Sequence, residues 1–186
     1  MGRAKHLLPL GHSTILEQTI ANVHAADVNE IVLVLGASAE AIRHDLPLAL
    51  LKGLKLVVNE DYQEGMSTSL RAGISALDPR SEAALIILGD QPFIRSQTMD
   101  HIVRGYRRDH AEFVIPEYQG RRGNPVLLDR SVFSEVMALK GDTGCRAIFN
   151  NHLEEIAKVE VEDQGILLDI DDPDDYERLR GKESGA

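Results

Sequence analysis

The sequence contains one cysteine, Cys145, among its 186 residues. A single cysteine excludes an internal disulfide framework and is typical of a reducing cytoplasm. No apolar run approaches the ~20 residues that a membrane-crossing helix needs. The N-terminus also has no apolar segment followed by a small-residue cleavage site, which is the pattern of a secretory signal. We therefore expect a cytoplasmic protein with no membrane partner.

Positive charge is also scarce, since 20 Lys and Arg residues face 30 Asp and Glu residues and give a net charge of -10. This balance argues against non-specific nucleic-acid binding, although a local basic loop or a metal ion can still hold an anionic ligand. A hydrophobic fraction of 43% and a charged fraction of 27% are typical of a globular protein. The length predicts a single domain over residues 1–186.

Short Val/Ile/Leu-rich segments alternate with amphipathic segments along the chain. Strands are predicted at "EIVLVLG", "LKLVVN", "AALIILGD", "EFVIPEY", "NPVLLD", "EIAKVEVE" and "GILLDI". Helices are predicted from Thr14 to Ala25, with Ser13 or Thr14 as the cap, and at "SAEAIRHDL", "MSTSLRAGISAL", "SQTMDHIVRGYRR" (capped by Ser96), "SVFSEVMAL", "TGCRAIFNNHL" and "PDDYERLRG". The alternation predicts an α/β fold with helices on both faces of a mixed, mostly parallel sheet. In such folds ligands bind beyond the carboxyl ends of the strands.

Acidic residues follow two of the predicted strands. Asp90 ends "LIILGD", and Asp169 and Asp171 alternate in "LLDIDDPDDY". Strand-end carboxylates are oxygen ligands that suit a hard divalent cation, so Asp90 and Asp171 could share Mg²⁺ with a triphosphate. The alternatives are a turn or cap role for Asp90 and an acidic helix start for the second segment.

Two further segments suggest anion binding. In "EGMSTSL", Gly65 and the hydroxyl residues after it open a helix whose backbone N–H groups could receive an anion, or form an ordinary N-cap. In "QGRRGNPV" and "GDTGCR", the side chains of Arg121, Arg122 and Arg146 could bind phosphate, or the first segment could be a solvated hairpin. The seven histidines show no metal-ligand spacing and are interpreted as surface or core residues.

The ordered segments "MGRAKHLLPLGHSTIL", "NEDYQEGMSTSLRAGI", "LGDQP", "GRRGNPVLL", "GDTGCR" and "DIDDPDDY" span nearly the whole chain. Together they resemble the MobA-like nucleotidyltransferase family, and within it the molybdenum cofactor cytidylyltransferases. The resemblance implies a three-layer α/β/α Rossmann-like fold. The family pattern opens with a strand and a glycine-rich loop before Met-Gly, where this sequence begins. We expect either a longer natural chain, with Met1 an internal methionine, or a genuine short form that lacks the usual first strand.

The resemblance also implies roles for individual residues. Lys5 and Asp90 would be catalytic, with Lys5 on the nucleotide phosphates and Mg²⁺ on Asp90 and Asp171. The nucleotide would also contact Asn59, Gly65 and Ser69. The acceptor pocket would be lined by Arg121, Arg122, Asn124, Asp142 and Arg146. Asn124 replaces the histidine that is usual in the family, so the identity of the acceptor stays open.

The function that follows is Mg²⁺-dependent transfer of CMP, or another nucleoside monophosphate, from a nucleoside triphosphate to the terminal phosphate of a molybdopterin-type acceptor. CTP is the favoured donor, and a molybdoenzyme would receive the product. Three alternatives stay open. One is transfer to a sugar phosphate or alcohol phosphate, the second is non-catalytic binding of molybdopterin or a nucleotide, and the third is an inactive fragment produced by mis-set gene boundaries.

Overall fold

The computed structural model describes residues 4–181. Its strands lie close to the predicted apolar segments, with three short additions, two near the N-terminus and one in the "QGRRG" loop. They are β1 (Pro9–Leu10), β2 (Ser13–Thr14), β3 (Ile31–Leu35), β4 (Leu54–Val58), β5 (Ala83–Ile86), β6 (Phe113–Tyr118), β7 (Arg121–Arg122), β8 (Val126–Asp129) and β9 (Ile156–Glu160).

The α-helices alternate with these strands. They are α1 (Ile15–His24), α2 (Ala39–Asp45), α3 (Leu48–Leu51), α4 (Met66–Ala76), α5 (Ser96–Asp109), α6 (Phe133–Ala138) and α7 (Pro173–Leu179). Turns of 3-10 helix lie at Lys5–Leu7, Tyr62–Glu64, Arg130–Val132, Cys145–Asn151 and Gln164–Leu167. Between residues 4 and 181, no helix has the length and apolar character needed to cross a bilayer.

Strand directions confirm the predicted mixed, largely parallel sheet. β3 and β4 pair in parallel over five residues, and so do β6 and β9. β8 is antiparallel to both β5 and β6, so β5, β6 and β9 all run in the same direction. Within the described chain, β3 pairs only with β4, and β5 pairs only with β8.

Side chains of the larger sheet point alternately to two hydrophobic clusters, one on each face. Phe113 and Ile115 of β6 pack in a cluster with residues of α4 and α6, whereas Val114 packs with residues of α5 and β9. This period-two alternation is the geometry of a pleated strand buried on both faces. The sheet therefore lies between two helical layers, as the resemblance implied.

The N-terminal segment is held by α1 and its cluster. Thr14 caps α1 through a capping box, in which its hydroxyl accepts from the Glu17 N–H and the Glu17 carboxylate accepts from the Thr14 N–H. Leu7 is 2% exposed and packs against residues of α1, β3 and α2. Burial of Leu7 therefore fixes the turn that carries Lys5 two residues earlier.

Three local predictions were wrong. The "GILLDI" segment forms a 3-10 turn, Gln164–Leu167, and not a strand. Ser96 is the first residue of α5 and not its cap, since no side chain caps that helix from the Ncap position. The predicted helix at "TGCRAIFNNHL" is the 3-10 turn Cys145–Asn151.

The buried carboxylate of Asp163 explains the first two of these differences. It is 5% exposed, and its two oxygens accept from the N–H of Arg95 (3.0 Å), the hydroxyl of Thr98 (2.6 Å) and the N–H of Gly165 (2.9 Å). One side chain thus organises the start of α5 and turns the chain at Gln164–Leu167. A distant carboxylate takes the role that the sequence suggested for Ser96.

We expect Asp163→Ala to lower the free energy of unfolding by about 3 kcal/mol, because it leaves buried donors without an acceptor. Urea denaturation followed by circular dichroism measures this. Glu162→Ala is the matched control, since Glu162 is the exposed neighbour and should change stability little. Equal effects of the two substitutions would contradict the role given to Asp163.

Candidate functional site

A lysine and two aspartates from three distant segments meet beyond the end of β5. The Lys5 ammonium donates to Asp90 Oδ2 at 2.9 Å and to Asp171 Oδ1 at 3.3 Å. The structure therefore brings together the two predicted catalytic residues and the second predicted metal ligand.

Backbone contacts place Asp90 and Asp171 side by side. The Ile170 N–H donates to the Asp90 carbonyl at 3.1 Å, so the residues flanking Ile170 are held at Asp90. From the other side, the Asn22 amide of α1 donates to the carbonyls of Pro92 (2.8 Å) and Ile94 (2.9 Å). The loop that carries Asp90 is thus held at Asp90 and again at Pro92 and Ile94, beyond the end of β5 at Ile86.

Asp169 is a third carboxylate at this site. The surrounding protein partly desolvates it, and Asp171 and Asp90 repel its charge; together these raise the pKa of Asp169. For Lys5, burial would lower the pKa, but the hydrogen bonds and attraction from Asp90 and Asp171 outweigh it and raise the pKa. Two carboxylates therefore bond to one ammonium and a third carboxyl group lies beside them, so acidic groups outnumber the lysine.

His6 lies behind the same cluster. A Cβ placed on Gly89 would lie 3.2 Å from the His6 ring, so the imidazole packs directly against the residue before Asp90. Burial lowers the pKa of His6, and the nearby Lys5 adds to this, while Asp90 opposes it. A neutral imidazole next to the carboxylates follows from that balance.

The donor set at this cluster fits a hard divalent cation. Asp90 Oδ1 is buried and has no hydrogen-bond partner among the described residues, which is costly unless a ligand satisfies it. Carboxylate oxygens are the ligands that Mg²⁺ and Mn²⁺ favour. Asp90, Asp171 and Asp169 are therefore the residues that could hold such an ion.

A second group of predicted residues meets at the start of α4. Gly65 has φ 109°, and a Cβ there would lie 2.4 Å from the backbone N of Asp142. Across this contact the Met66 N–H donates to Asp142 Oδ1 (3.2 Å), and the Ser67 N–H donates to the Gly141 carbonyl (3.2 Å). The predicted nucleotide-side Gly65 and the predicted acceptor-side Asp142 are thus in contact, and Asp142 supplies the anion at the helix start.

Asn59 is buried behind the loop that precedes α4, with 5% exposure. Its amide donates to the hydroxyls of Thr68 (2.8 Å) and Ser69 (3.0 Å), and its Oδ1 accepts from the Asp61 N–H (3.1 Å). These bonds satisfy most of the hydrogen-bonding groups of the Asn59 side chain. They also link Asn59 to Ser69, the two predicted nucleotide-side residues. Asn59 therefore holds the loop against α4.

The predicted acceptor residues form two smaller groups. The Arg146 guanidinium donates to Asn124 Oδ1 at 3.3 Å, which joins the "GDTGCR" and "GRRGNPV" segments. Arg121 and Arg122 are exposed in the two-residue strand β7. Arg122 Nε lies 3.6 Å from Glu117 Oε1.

Segment 163–171 bridges the acceptor residues and the carboxylate cluster. At one end the Asn124 N–H donates to the Ile166 carbonyl at 3.0 Å, and a Cβ on Gly123 would lie 2.4 Å from that same oxygen. At the other end the segment is bonded to Asp90 through Ile170.

The sequence prediction left Asp169 and His6 out of the site, although the Asp-Ile-Asp spacing and the position of His6 next to Lys5 were signals for both.

Comparison with known proteins identifies the family of this chain. A family model described as the MobA-like NTP transferase domain matches residues 1–156. The molybdenum cofactor cytidylyltransferase of Escherichia coli is 27% identical over 95% of this chain and 86% of its own length. Nicotine blue oxidoreductase of Paenarthrobacter nicotinovorans is also 27% identical, over 96% of this chain and 89% of its own length.

A solved structure shows the same architecture. The crystal structure of Rv0371c from Mycobacterium tuberculosis in complex with manganese superimposes with a TM-score of 0.84 and 31% sequence identity, covering 96% of this chain and 92% of that one. The family match spans most of the chain and includes the segments that carry Lys5, Asp90, Gly65, Asp142 and Arg146. The chain belongs to the MobA-like NTP transferase domain family and is a nucleotidyltransferase.

Proposed function

We propose that the protein transfers CMP from CTP to the terminal phosphate of a molybdopterin-type acceptor in the cytoplasm, with Mg²⁺ as its cofactor. The observation that carries the proposal is the convergence of Lys5 with Asp90 and Asp171 beyond β5 in a chain of this family. The similarity to the cytidylyltransferase of E. coli supports the donor and acceptor. The manganese complex of Rv0371c supports a divalent ion.

The reaction makes one P–O bond and breaks another. An oxygen of the acceptor phosphate attacks the α-phosphorus of the triphosphate, the bond from that phosphorus to the bridging oxygen of the β-phosphate breaks, and pyrophosphate leaves. Because a phosphate nucleophile is already ionised near neutral pH, the step needs no strong general base. Catalysis then depends on positioning and on the stabilisation of negative charge.

Asp90 and Asp171, with Asp169 beside them, would hold the cation, which supplies charge neutralisation on the phosphates when bound. Lys5 carries the positive charge that this chain itself brings to the phosphates. In the structure Lys5 is bonded to Asp90 and Asp171, so its ammonium must turn from the carboxylates toward the nucleotide. His6 packs behind this group against Gly89.

The remaining predicted residues would bind the two substrates. Gly65 and Ser69 would contact the nucleotide, and Asn59 would position their loop. Asp142, Asn124 and Arg146 would line the acceptor pocket, with Arg121 and Arg122 at its exposed edge. Forked guanidinium groups suit the terminal phosphate of such an acceptor.

A substrate profile tests the identity of the acceptor. The protein should release pyrophosphate from CTP and Mg²⁺ when molybdopterin cofactor is added, and more slowly from GTP. Release with a sugar phosphate or an alcohol phosphate in its place would move the assignment to that acceptor class. Nucleotide binding without pyrophosphate release from any acceptor would favour the non-catalytic alternative.

We expect Asp90→Asn to reduce Mg²⁺-dependent kcat by at least about 100-fold, because it removes a charged ligand of the ion. Steady-state pyrophosphate release measures the loss, and circular dichroism checks that the fold persists. The matched control is Asp174→Asn, since Asp174 lies in the exposed first turn of α7 outside the cluster. Near-normal turnover of the Asp90 variant would refute the metal assignment.

We expect Lys5→Gln to lower kcat and, without nucleotide, to tighten Mg²⁺ binding by about tenfold. The reason is that the ammonium and the ion compete for the same carboxylates, and removal of a screened like charge a few ångströms away is worth about 1–2 kcal/mol. Isothermal titration calorimetry measures the affinity, with Lys52→Gln as the exposed control. Weaker Mg²⁺ binding in the Lys5 variant would show that the two cations do not share this site.

A further inference from the structure

Two glutamates lie together where the parallel strands β6 and β9 begin. This is the end of the sheet opposite to the carboxylate cluster. Glu112 directly precedes β6 and Glu155 directly precedes β9, and these parallel strands are paired at Phe113 and Ile156. Both glutamates are therefore at the amino ends of neighbouring strands. Asp90 follows β5, which runs in the same direction, so it lies beyond the other edge.

His152 completes this second group. The Glu155 N–H donates to the His152 carbonyl at 3.0 Å, and the Phe113 N–H donates to the Glu155 carbonyl at 3.2 Å. The His152 ring packs on Phe113 with a centroid distance of 5.3 Å, and Phe149 meets the same phenyl ring edge-on at 5.1 Å. The backbone and the rings thus fix the imidazole beside both carboxylates.

The two nitrogens of His152 have different surroundings. Nε2 lies 2.8 Å from Glu135 Oε1, within hydrogen-bond geometry. Nδ1 lies 2.6 Å from Glu112 Oε2, yet that buried oxygen has no aligned hydrogen bond among the described residues. These two atoms can become ligands of one cation after a small separation, since ligand atoms of a tetrahedral ion lie more than about 3 Å apart.

The ligand atoms of Glu112, His152 and Glu155 all lie within 4.8 Å of one another. We propose that these three side chains bind a divalent first-row transition cation of the Zn²⁺ class. The imidazole nitrogen and the carboxylates suit such a cation, whereas Mg²⁺ favours an all-oxygen set. This site is independent of the proposed nucleotidyl transfer.

Glu135 makes His152 a suitable ligand. When Glu135 accepts from Nε2–H of a neutral imidazole, Nδ1 is the nitrogen left to bind the cation, which is the usual carboxylate–histidine–metal arrangement. Without the cation, desolvation lowers the pKa of His152, but the hydrogen bonds and charges of Glu135 and Glu112 outweigh it and raise that pKa. When Nδ1 carries a proton, binding releases that proton to solvent. A shallow, open depression lined by Glu112, Glu154 and Glu155 lies beside the group, so a hydrated ion has access to both glutamate ligands.

Coordination there would also fix the 3-10 turn Cys145–Asn151 at its far end. That turn includes Arg146, which contacts Asn124 at the acceptor side, and it ends at Asn151, the residue before His152. The cation would therefore connect the amino edge of the sheet to a segment that carries predicted acceptor residues.

The competing interpretation is a protonated His152 that only bridges Glu112 and Glu135. The test is calorimetric titration of Zn²⁺ into the Asp90→Asn variant, which disables the other carboxylate cluster. We expect one equivalent per chain, with a rise in the thermal unfolding midpoint on binding. No stoichiometric binding at micromolar Zn²⁺ would overturn the proposal.

Three substitutions in that background locate the site. His152→Gln should abolish binding, and Glu155→Gln should weaken it at least tenfold without disturbing the fold, because the Glu155 side chain is exposed. Glu154→Gln is the matched control and should bind as before, since Glu154 is an exposed neighbour outside the ligand set. Unchanged affinity in the Glu155 variant, or equal losses in the Glu154 and Glu155 variants, would refute it.

Discussion

The site depends on one backbone hydrogen bond, from the Ile170 N–H to the Asp90 carbonyl. It holds a C-terminal segment beyond the end of β5, so that Asp171 joins Asp90 at the Lys5 ammonium and Asp169 lies near both carboxylates. Like charges brought this close are unfavourable without a counterion, and burial together with that repulsion raises the pKa of Asp169. The charge of Lys5, and of any cation that replaces it, is therefore part of what keeps the three segments together.

Segment 163–171 contacts three separate parts of the fold. Asp163 organises the start of α5, Ile166 bonds to Asn124, and Ile170 bonds to Asp90. A displacement of this segment would reach both the acceptor-side residues and the carboxylates. Its irregular backbone is what allows successive residues to meet different partners, since a regular strand would direct those backbone groups into one ladder.

Much of the architecture was predictable because its signals are local. The apolar runs at β3, β4, β6 and β9 and the capping residue Thr14 all appear where periodicity and cap chemistry place them. The sequence was misleading at "GILLDI", where the alternation of apolar residues predicts a strand. The turn there depends on Asp163 accepting hydrogen bonds from Arg95 and Thr98, which lie more than 60 positions away. For the site, resemblance indicated Lys5, Asp90 and Asp171, but the contact of Gly65 with Asp142 has no signal in either segment alone.

That contact has a kinetic consequence. The N–H of Met66 is already bonded to the Asp142 carboxylate, and the N–H of Ser67 to the Gly141 carbonyl. The positive end of the α4 dipole is thus neutralised by an internal anion. A phosphate that binds these N–H groups must first displace the Asp142 carboxylate and the Gly141 carbonyl. Its association would therefore level off at high ligand concentration, where that displacement sets the rate.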